Sequence, residues 1–160
     1  GEVDGRDYRF VSGAEFDQRR AAGEFLEWAE VHGNLYATSR RWIDERMRAG
    51  VDILLEIDCQ GAVQVQDLFR DAVGIFIAPP SIDALRERLI GRGQDAADVI
   101  ERRVAAAASE LQQAGKFQYV IINQDFDVAC KQMMAIVDAA ALRFAQQRSR
   151  HPLLFRQLGA

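Results

Sequence analysis

Val51-Asp52-Ile53-Leu54-Leu55-Glu56-Ile57-Asp58-Cys59-Gln60-Gly61 is the stretch on which the reading of the whole chain turns. Its first seven residues form a largely apolar, branched run of strand length. Such runs suit a strand buried on both faces of a parallel sheet. The run ends on acid, and helical sequence follows from about Gln60 to Phe69. Val73–Ala78 repeats the theme: it is apolar, it stops at Pro79-Pro80, and Ser81 is placed to cap a helix reaching about Ile90. Gly91-Arg92-Gly93 reads as a break. A helix from about Asp95 to Ala114, a strand at Tyr119–Ile122 and a long helix from Phe126 to Arg148 complete the pattern. Strand, helix, strand, helices, strand, helix is the order of an α/β fold, a parallel sheet flanked by helices in three layers.

Toward the N-terminus the alternation stops. Tyr8–Val11 reads as a short strand. Ser12 and Glu15 have capping-box spacing and open a short helix. Phe25–Val31 and Leu35–Ala37 read as strands around a Gly33-Asn34 turn. Thr38 or Ser39 caps a helix that runs to about Ala49 and stops at Gly50. The first fifty residues are therefore expected to form a small mixed β lobe. The organisation that follows is a ligand lobe over 1–38, core over 39–80, an arginine-bearing lid over 81–104, core again over 105–150, and a tail over 151–160.

Composition narrows the class. The 160 residues are 49% hydrophobic and 28% charged, enough to bury a core, and the net charge is −4. That balance argues against nucleic acid or an anionic membrane as partner. No apolar run approaches the ~18 residues a membrane span needs. Cys59 and Cys130 have neither disulfide-framework nor metal-ligand spacing, which points to a reducing compartment, the cytoplasm. All but two of the 20 basic residues are arginine, the exceptions being Lys116 and Lys131. The guanidinium fork matches phosphate geometry well, although a compositional bias toward arginine accounts for the count equally.

Three groups of residues carry chemistry. Open parallel sheets bind ligands beyond the carboxyl ends of their strands. Glu56 and Asp58 share one strand face at such an end; they suit the handling of magnesium or a substrate donor in phosphate transfer, and Asp58 also suits plain helix capping. Arg88 and Arg92 lie four apart, Gly91 and Gly93 flank the second, and Arg102 and Arg103 follow. An anion between arginines of a mobile segment would neutralise their repulsion, while a solvated face paired with Glu87, Asp98 and Glu101 is the plainer alternative. In the N-terminal lobe, Glu2, Tyr8, Glu27, Tyr36 and Thr38 stand out. A buried carboxylate such as Glu27 can accept the N1–H and amino protons of guanine, and adenine leaves it unpaired. Each of these residues also has an ordinary reading as a strand, surface or cap residue.

The order of the pieces resembles guanylate kinase along nearly the whole chain. Gly1-Glu2-Val3-Asp4-Gly5-Arg6-Asp7-Tyr8 looks like that family's GE-x-x-G-x-x-Y segment. Phe25–Ala29 with Gly33–Ser39 looks like its guanine-site segment, and Ile57-Asp58-Cys59-Gln60-Gly61 like its D-x-x-G strand end. Ile77–Ser81, Leu89–Gly93 and Val120–Asn123 resemble its PPS turn, its arginine lid and its adenine-side strand. Each motif is weak alone; their order over about 150 residues is specific.

The resemblance implies a fold of P-loop kinase type and transfer of a phosphoryl group from ATP to GMP, giving ADP and GDP, with Mg2+ carried on the ATP. It implies that Glu27, Thr38 and Asp58 recognise guanine, that Tyr8 and Tyr36 hold the GMP phosphate with Glu2 in the same pocket, that Arg92 and Arg103 act on the transferring phosphate, and that Arg88 and Asn123 sit beside ATP. No residue is assigned as a metal ligand. Two departures stand out. Glu56 occupies a position where the family usually has aspartate. No G-x-x-x-x-G-K-[ST] phosphate loop occurs in these residues, so the expectation is a partial enzyme, truncated at its N-terminus and inactive alone. The alternative is a non-catalytic guanylate-kinase-like interaction module. A homo-oligomer, with the last helix against a second subunit, stays open.

Overall fold

The computed structural model describes residues 2–159; Gly1, which opens the GE-x-x-G stretch, and Ala160, which closes the tail, lie outside the described residues. The chain divides after Ala72 into two compact units.

In the first unit, α1 (Gly13–Ala21) begins where Ser12 Oγ accepts the Glu15 N–H at 3.2 Å. The Glu15 carboxylate turns away from the cap to pair with Arg19 at 2.6 Å. Phe16 buries the apolar side of α1 against Phe25 and the edge of Trp28, with ring centroids 4.8 and 6.5 Å away. β1 (Phe25–Val31) and β2 (Asn34–Ser39) form an antiparallel hairpin. Its turn falls on His32-Gly33, one residue before the Gly33-Asn34 position expected from sequence. Both residues have positive φ, 52° and 83°. That is the primed geometry whose twist matches the flanking strands. The register shifts between Phe25 and Glu27, a bulge that reorients the strand just before Glu27. Ser39, rather than Thr38, caps α2 (Arg40–Arg48) by accepting the Trp42 N–H, and Gly50 at φ 76° ends the segment. Asp58 caps α3 (Cys59–Leu68).

Two expected strands are absent here. Tyr8–Val11 makes a single bridge, Asp4 to Tyr8. Asp4 accepts the Phe10 N–H and Asp7 accepts the Val3 N–H, both at 2.8 Å. These local side-chain bonds offer the backbone an alternative to a ladder. Val51–Ile57 has strand composition but pairs with no strand among the described residues, and Leu54 is 75% exposed. Composition reports what side chains prefer, whereas a strand exists only where another backbone meets it.

In the second unit, β3 (Ile75–Ala78) lies parallel to β4 (Tyr119–Ile122), in a register that pairs Ile75 with Tyr119 and Ala78 with Ile122. A parallel pair needs a long crossover, and α4 (Ile82–Arg92) and α5 (Ala97–Leu111) supply it. Leu89, Ile100 and Val104 form the core of this helical pair, flanked by Ile82 and Leu85. Arg86 spans it outside, donating to both Glu101 oxygens at 3.0 and 3.2 Å. α4 continues through Gly91, where the sequence predicts a break, and stops only at Gly93 with φ 63°. The single long helix expected over 126–148 is two, α6 (Phe126–Ala141) and α7 (Phe144–Arg150). At the split the Gln147 side-chain amide donates to the Ala141 carbonyl at 2.8 Å, which satisfies an end carbonyl without continuing the helix. The tail holds α8 (Pro152–Gln157), begun by proline at a first-turn position where its missing N–H costs nothing. Phe144 meets Phe155 edge-on at 5.3 Å.

The fold is thus α/β, with the described strands pairing two by two, one antiparallel hairpin and one parallel pair. No helix among the described residues is long and apolar enough to cross a membrane.

Leu89 is 4% exposed at the centre of its cluster. Leu89→Ala is expected to lower unfolding stability by about 2–5 kcal/mol, read as a fall in the urea midpoint with the slope unchanged.

Candidate functional site

Glu27 is the buried charged side chain of the first unit, at 4% exposure. It belongs to β1 opposite Thr38 of β2, and the Thr38 hydroxyl donates to its Oε1 at 2.5 Å. Thr38 is free to do so because Ser39 carries the helix cap. The other carboxylate oxygen leans over the first turn of α3. A Cβ placed on Gly61 would lie 2.3 Å from Glu27 Oε2 and 3.4 Å from Asp58 Oδ1, so only glycine fits there without moving the carboxylates. Asp58 is fixed at both oxygens: Oδ1 accepts the Gly61 N–H at 2.9 Å and Oδ2 accepts from Gln60 Nε2 at 3.0 Å. Both expected roles of Asp58 are therefore compatible, since the helix cap itself sets the carboxylate in place beside Glu27.

Burial is the main reason the Glu27 pKa lies above its ordinary value of 4.5; the Asp58 charge adds to the rise and the Thr38 hydroxyl opposes it. Two carboxylates with limited access to water thus converge on one spot, an arrangement suited to a ligand edge carrying N–H donors.

Beside them the expected tyrosines meet. Tyr8 and Tyr36 rings pack edge to face with centroids 5.7 Å apart. Tyr36 and Thr38 are two apart on β2 and share a face. Partial burial raises the Tyr8 pKa above its ordinary 10.0, followed by the charges of Glu2, Tyr36, Glu56 and Asp7. Tyr8 therefore keeps its proton and remains a donor at neutral pH. Glu2 and Glu56 are thereby within electrostatic reach of Tyr8. The structure brings together Glu2, Tyr8, Glu27, Tyr36, Thr38 and Asp58 within one unit.

The remaining expected residues belong to the second unit. Arg88 on α4 donates to the Gln124 carbonyl at 3.3 Å, next to Asn123, whose N–H bonds the Ala78 carbonyl at 2.8 Å. Arg88 and Asn123 therefore converge at the carboxyl end of β4. Arg92 is the exposed last residue of α4. Arg103 on α5 is held by Asp95 at 2.6 Å. Of the alternative pairings expected for this face, Arg102 with Asp98 is present, while Glu101 pairs with Arg86, which that expectation did not include. Among the described residues no group of three or more His, Cys, Asp or Glu is placed to hold a metal.

In the sequence Gly61 and Gln60 stand out only as part of the D-x-x-G motif, and Gln64 and Asp95 carry no such mark. The spacing of Gln60 and Gln64, one helical turn apart, was the available signal for the pair. Nothing local marks Asp95 as the partner of Arg103.

The guanylate kinase family model matches residues 1–140. The chain belongs to the guanylate kinase family. A guanylate kinase of Cupriavidus metallidurans is 58% identical over 99% of this chain and 74% of its own length. That of Bordetella pertussis is 57% identical with the same coverage. The crystal structure of guanylate kinase from Anaplasma phagocytophilum superposes with a TM-score of 0.77 at 33% identity, covering 95% of this chain and 78% of that one.

Because the folded pKa of Glu27 is raised, the native state keeps its proton to higher pH than the unfolded chain does. The associated stability is present below the ordinary value of 4.5 and is lost as pH rises through the raised one. Glu27→Gln removes that loss and retains an acceptor for Thr38. It is expected to melt higher than the parent at neutral pH, with the difference shrinking toward about pH 4 in thermal melts.

Proposed function

We propose that the protein is a guanylate kinase, transferring the terminal phosphate of ATP to GMP to give ADP and GDP. The observation that carries this reading is the buried Glu27 carboxylate, held by Thr38 and set beside Asp58 over the first turn of α3. Guanine offers its N1–H and amino protons to such a pair. Adenine has no donor at N1, so binding it would strand a buried acceptor, a loss that discriminates strongly. Relatives named guanylate kinase at 52–58% identity favour the enzyme over a non-catalytic interaction module.

In this reading Glu27, Thr38 and Asp58 bind the base. The Tyr8 and Tyr36 hydroxyls donate to the GMP phosphate, with Glu2 in the same pocket. A GMP phosphate oxygen attacks the γ-phosphorus in line, its bond forms as the bond to the ADP oxygen breaks, and no covalent enzyme intermediate arises. Arg92 and Arg103 neutralise charge on the transferring group, which is where catalysis of this reaction mostly lies. Arg103 must exchange Asp95 for phosphate to do so. Arg88 and Asn123 contact ATP. Mg2+, entering with ATP, supplies charge neutralisation on the phosphates. We further propose the finer architecture of a three-layer parallel sheet of P-loop kinase type, supported by the parallel β3–β4 pair and the alternating order of elements. The ligand lobe of 1–38, the lid of 81–104 and a cytoplasmic setting belong to the same reading.

The test is a coupled assay of ADP release by the full-length gene product with GMP and with AMP. GMP is expected to be the substrate by a wide margin, and comparable rates with AMP would overturn the reading. Arg92→Ala and Arg103→Ala are each expected to lower kcat by roughly 10²–10³, whereas Glu56→Asp leaves it near the parent value. Affinity for GMP is expected to weaken as pH falls toward the raised pKa of Glu27, since only its carboxylate form accepts both guanine protons.

A further inference from the structure

The hairpin leaves one edge of β1 facing away from β2, and a strand edge is a row of backbone groups in need of partners. Here the partners are side chains. Gln64 on α3 matches Trp28 at both ends: its Oε1 accepts the Trp28 N–H at 3.3 Å and its Nε2 donates to the Trp28 carbonyl at 2.7 Å. One turn earlier, Gln60 Nε2 donates to the Glu30 carbonyl at 3.2 Å and to Asp58 Oδ2 at 3.0 Å. Gln64 Nε2 also reaches the Gln60 carbonyl at 3.2 Å. Trp28 and Glu30 are two apart on the strand, and Gln60 and Gln64 are four apart on the helix. A strand rises about 3.3 Å per residue and a helix about 1.5 Å. The two repeats therefore nearly coincide, at about 6.6 and 6 Å, and the glutamine pair stands in for a neighbouring strand.

We propose that Gln60 and Gln64 are positioning residues for base selection, clamping the outer edge of β1 to α3 so that Glu27 and Asp58 face one ligand in fixed geometry. Glu27 immediately precedes Trp28, the strand residue whose N–H and carbonyl Gln64 holds. Asp58 is bound directly by one of the two. Gly61, on the intervening turn, lets the Glu27 carboxylate approach closely. Loss of the clamp leaves both carboxylates present but lets their separation drift, and a misplacement of about 1 Å can cost roughly 10²-fold. The clamp acts on the base and not on the phosphoryl donor, so its removal should fall on GMP alone.

This inference rests on the guanine-site reading above. The experiment measures kcat and KM for GMP, AMP and ATP in the full-length gene product carrying Gln64→Met, Gln60→Met or Glu27→Gln. Methionine keeps the length of glutamine and removes its polar atoms. Each methionine variant is expected to raise KM for GMP by ~10-fold or more and to cut the GMP-to-AMP ratio of kcat/KM in proportion. KM for ATP and kcat at saturating GMP should stay within about threefold. An unchanged GMP-to-AMP ratio in both methionine variants, with Glu27→Gln collapsing it, would overturn the clamp and leave the guanine site standing. An unchanged ratio in Glu27→Gln would overturn the guanine site itself. Gln60 is exposed, so Gln60→Met answers the question even where Gln64→Met fails to fold.

Discussion

A carboxylate removed from water has to be answered by donors, and the first unit is arranged around the answer given to Glu27. Thr38 meets one oxygen from across the hairpin, while the other lies over the opening turn of α3, at the end of the helix whose dipole favours negative charge. Burial outweighs that answer, so the pKa of Glu27 stays raised. A site that satisfied its carboxylate fully would gain stability and have little left to offer a ligand. The residual demand is the property that a purine edge with two N–H donors would meet.

Several neighbouring features follow from that demand. The primed turn at His32-Gly33 sets the register that places Glu27 opposite Thr38. The use of Ser39 rather than Thr38 as helix cap releases the threonine hydroxyl. Asp58 does two things at once, closing the first turn of α3 and presenting a second acceptor. Gly61 is required because any side chain there would occupy the space the carboxylate uses.

Much of this was legible in the sequence because it rests on short-range rules. Ser12, Ser39, Asp58, Ser81 and Asp125 cap the helices that begin beside them, four of them at starts that local patterning indicated. The residues that the resemblance singles out in the first lobe belong to one compact unit. What was misread depended on partners far along the chain or on competition. Val51–Ile57 has the side chains of a strand, but no strand among the described residues pairs with it. In Tyr8–Val11 the Asp4 carboxylate takes the Phe10 N–H that a ladder would use. The interruption at Leu142–Arg143 depends on a glutamine side chain five residues further on, which no helical periodicity encodes. The Arg103–Asp95 pair was equally invisible, since it joins an arginine on a helix to an acid in the loop before it.

The unbroken passage of α4 through Gly91 has a mechanical consequence. Arg88 and Arg92 ride on one continuous rod, about 6 Å apart along its axis, so neither can swing without carrying the other. The rod ends at Gly93, beyond both of them, where φ is 63°. Any rotation there would carry the backbone attachment points of both side chains together, at constant spacing.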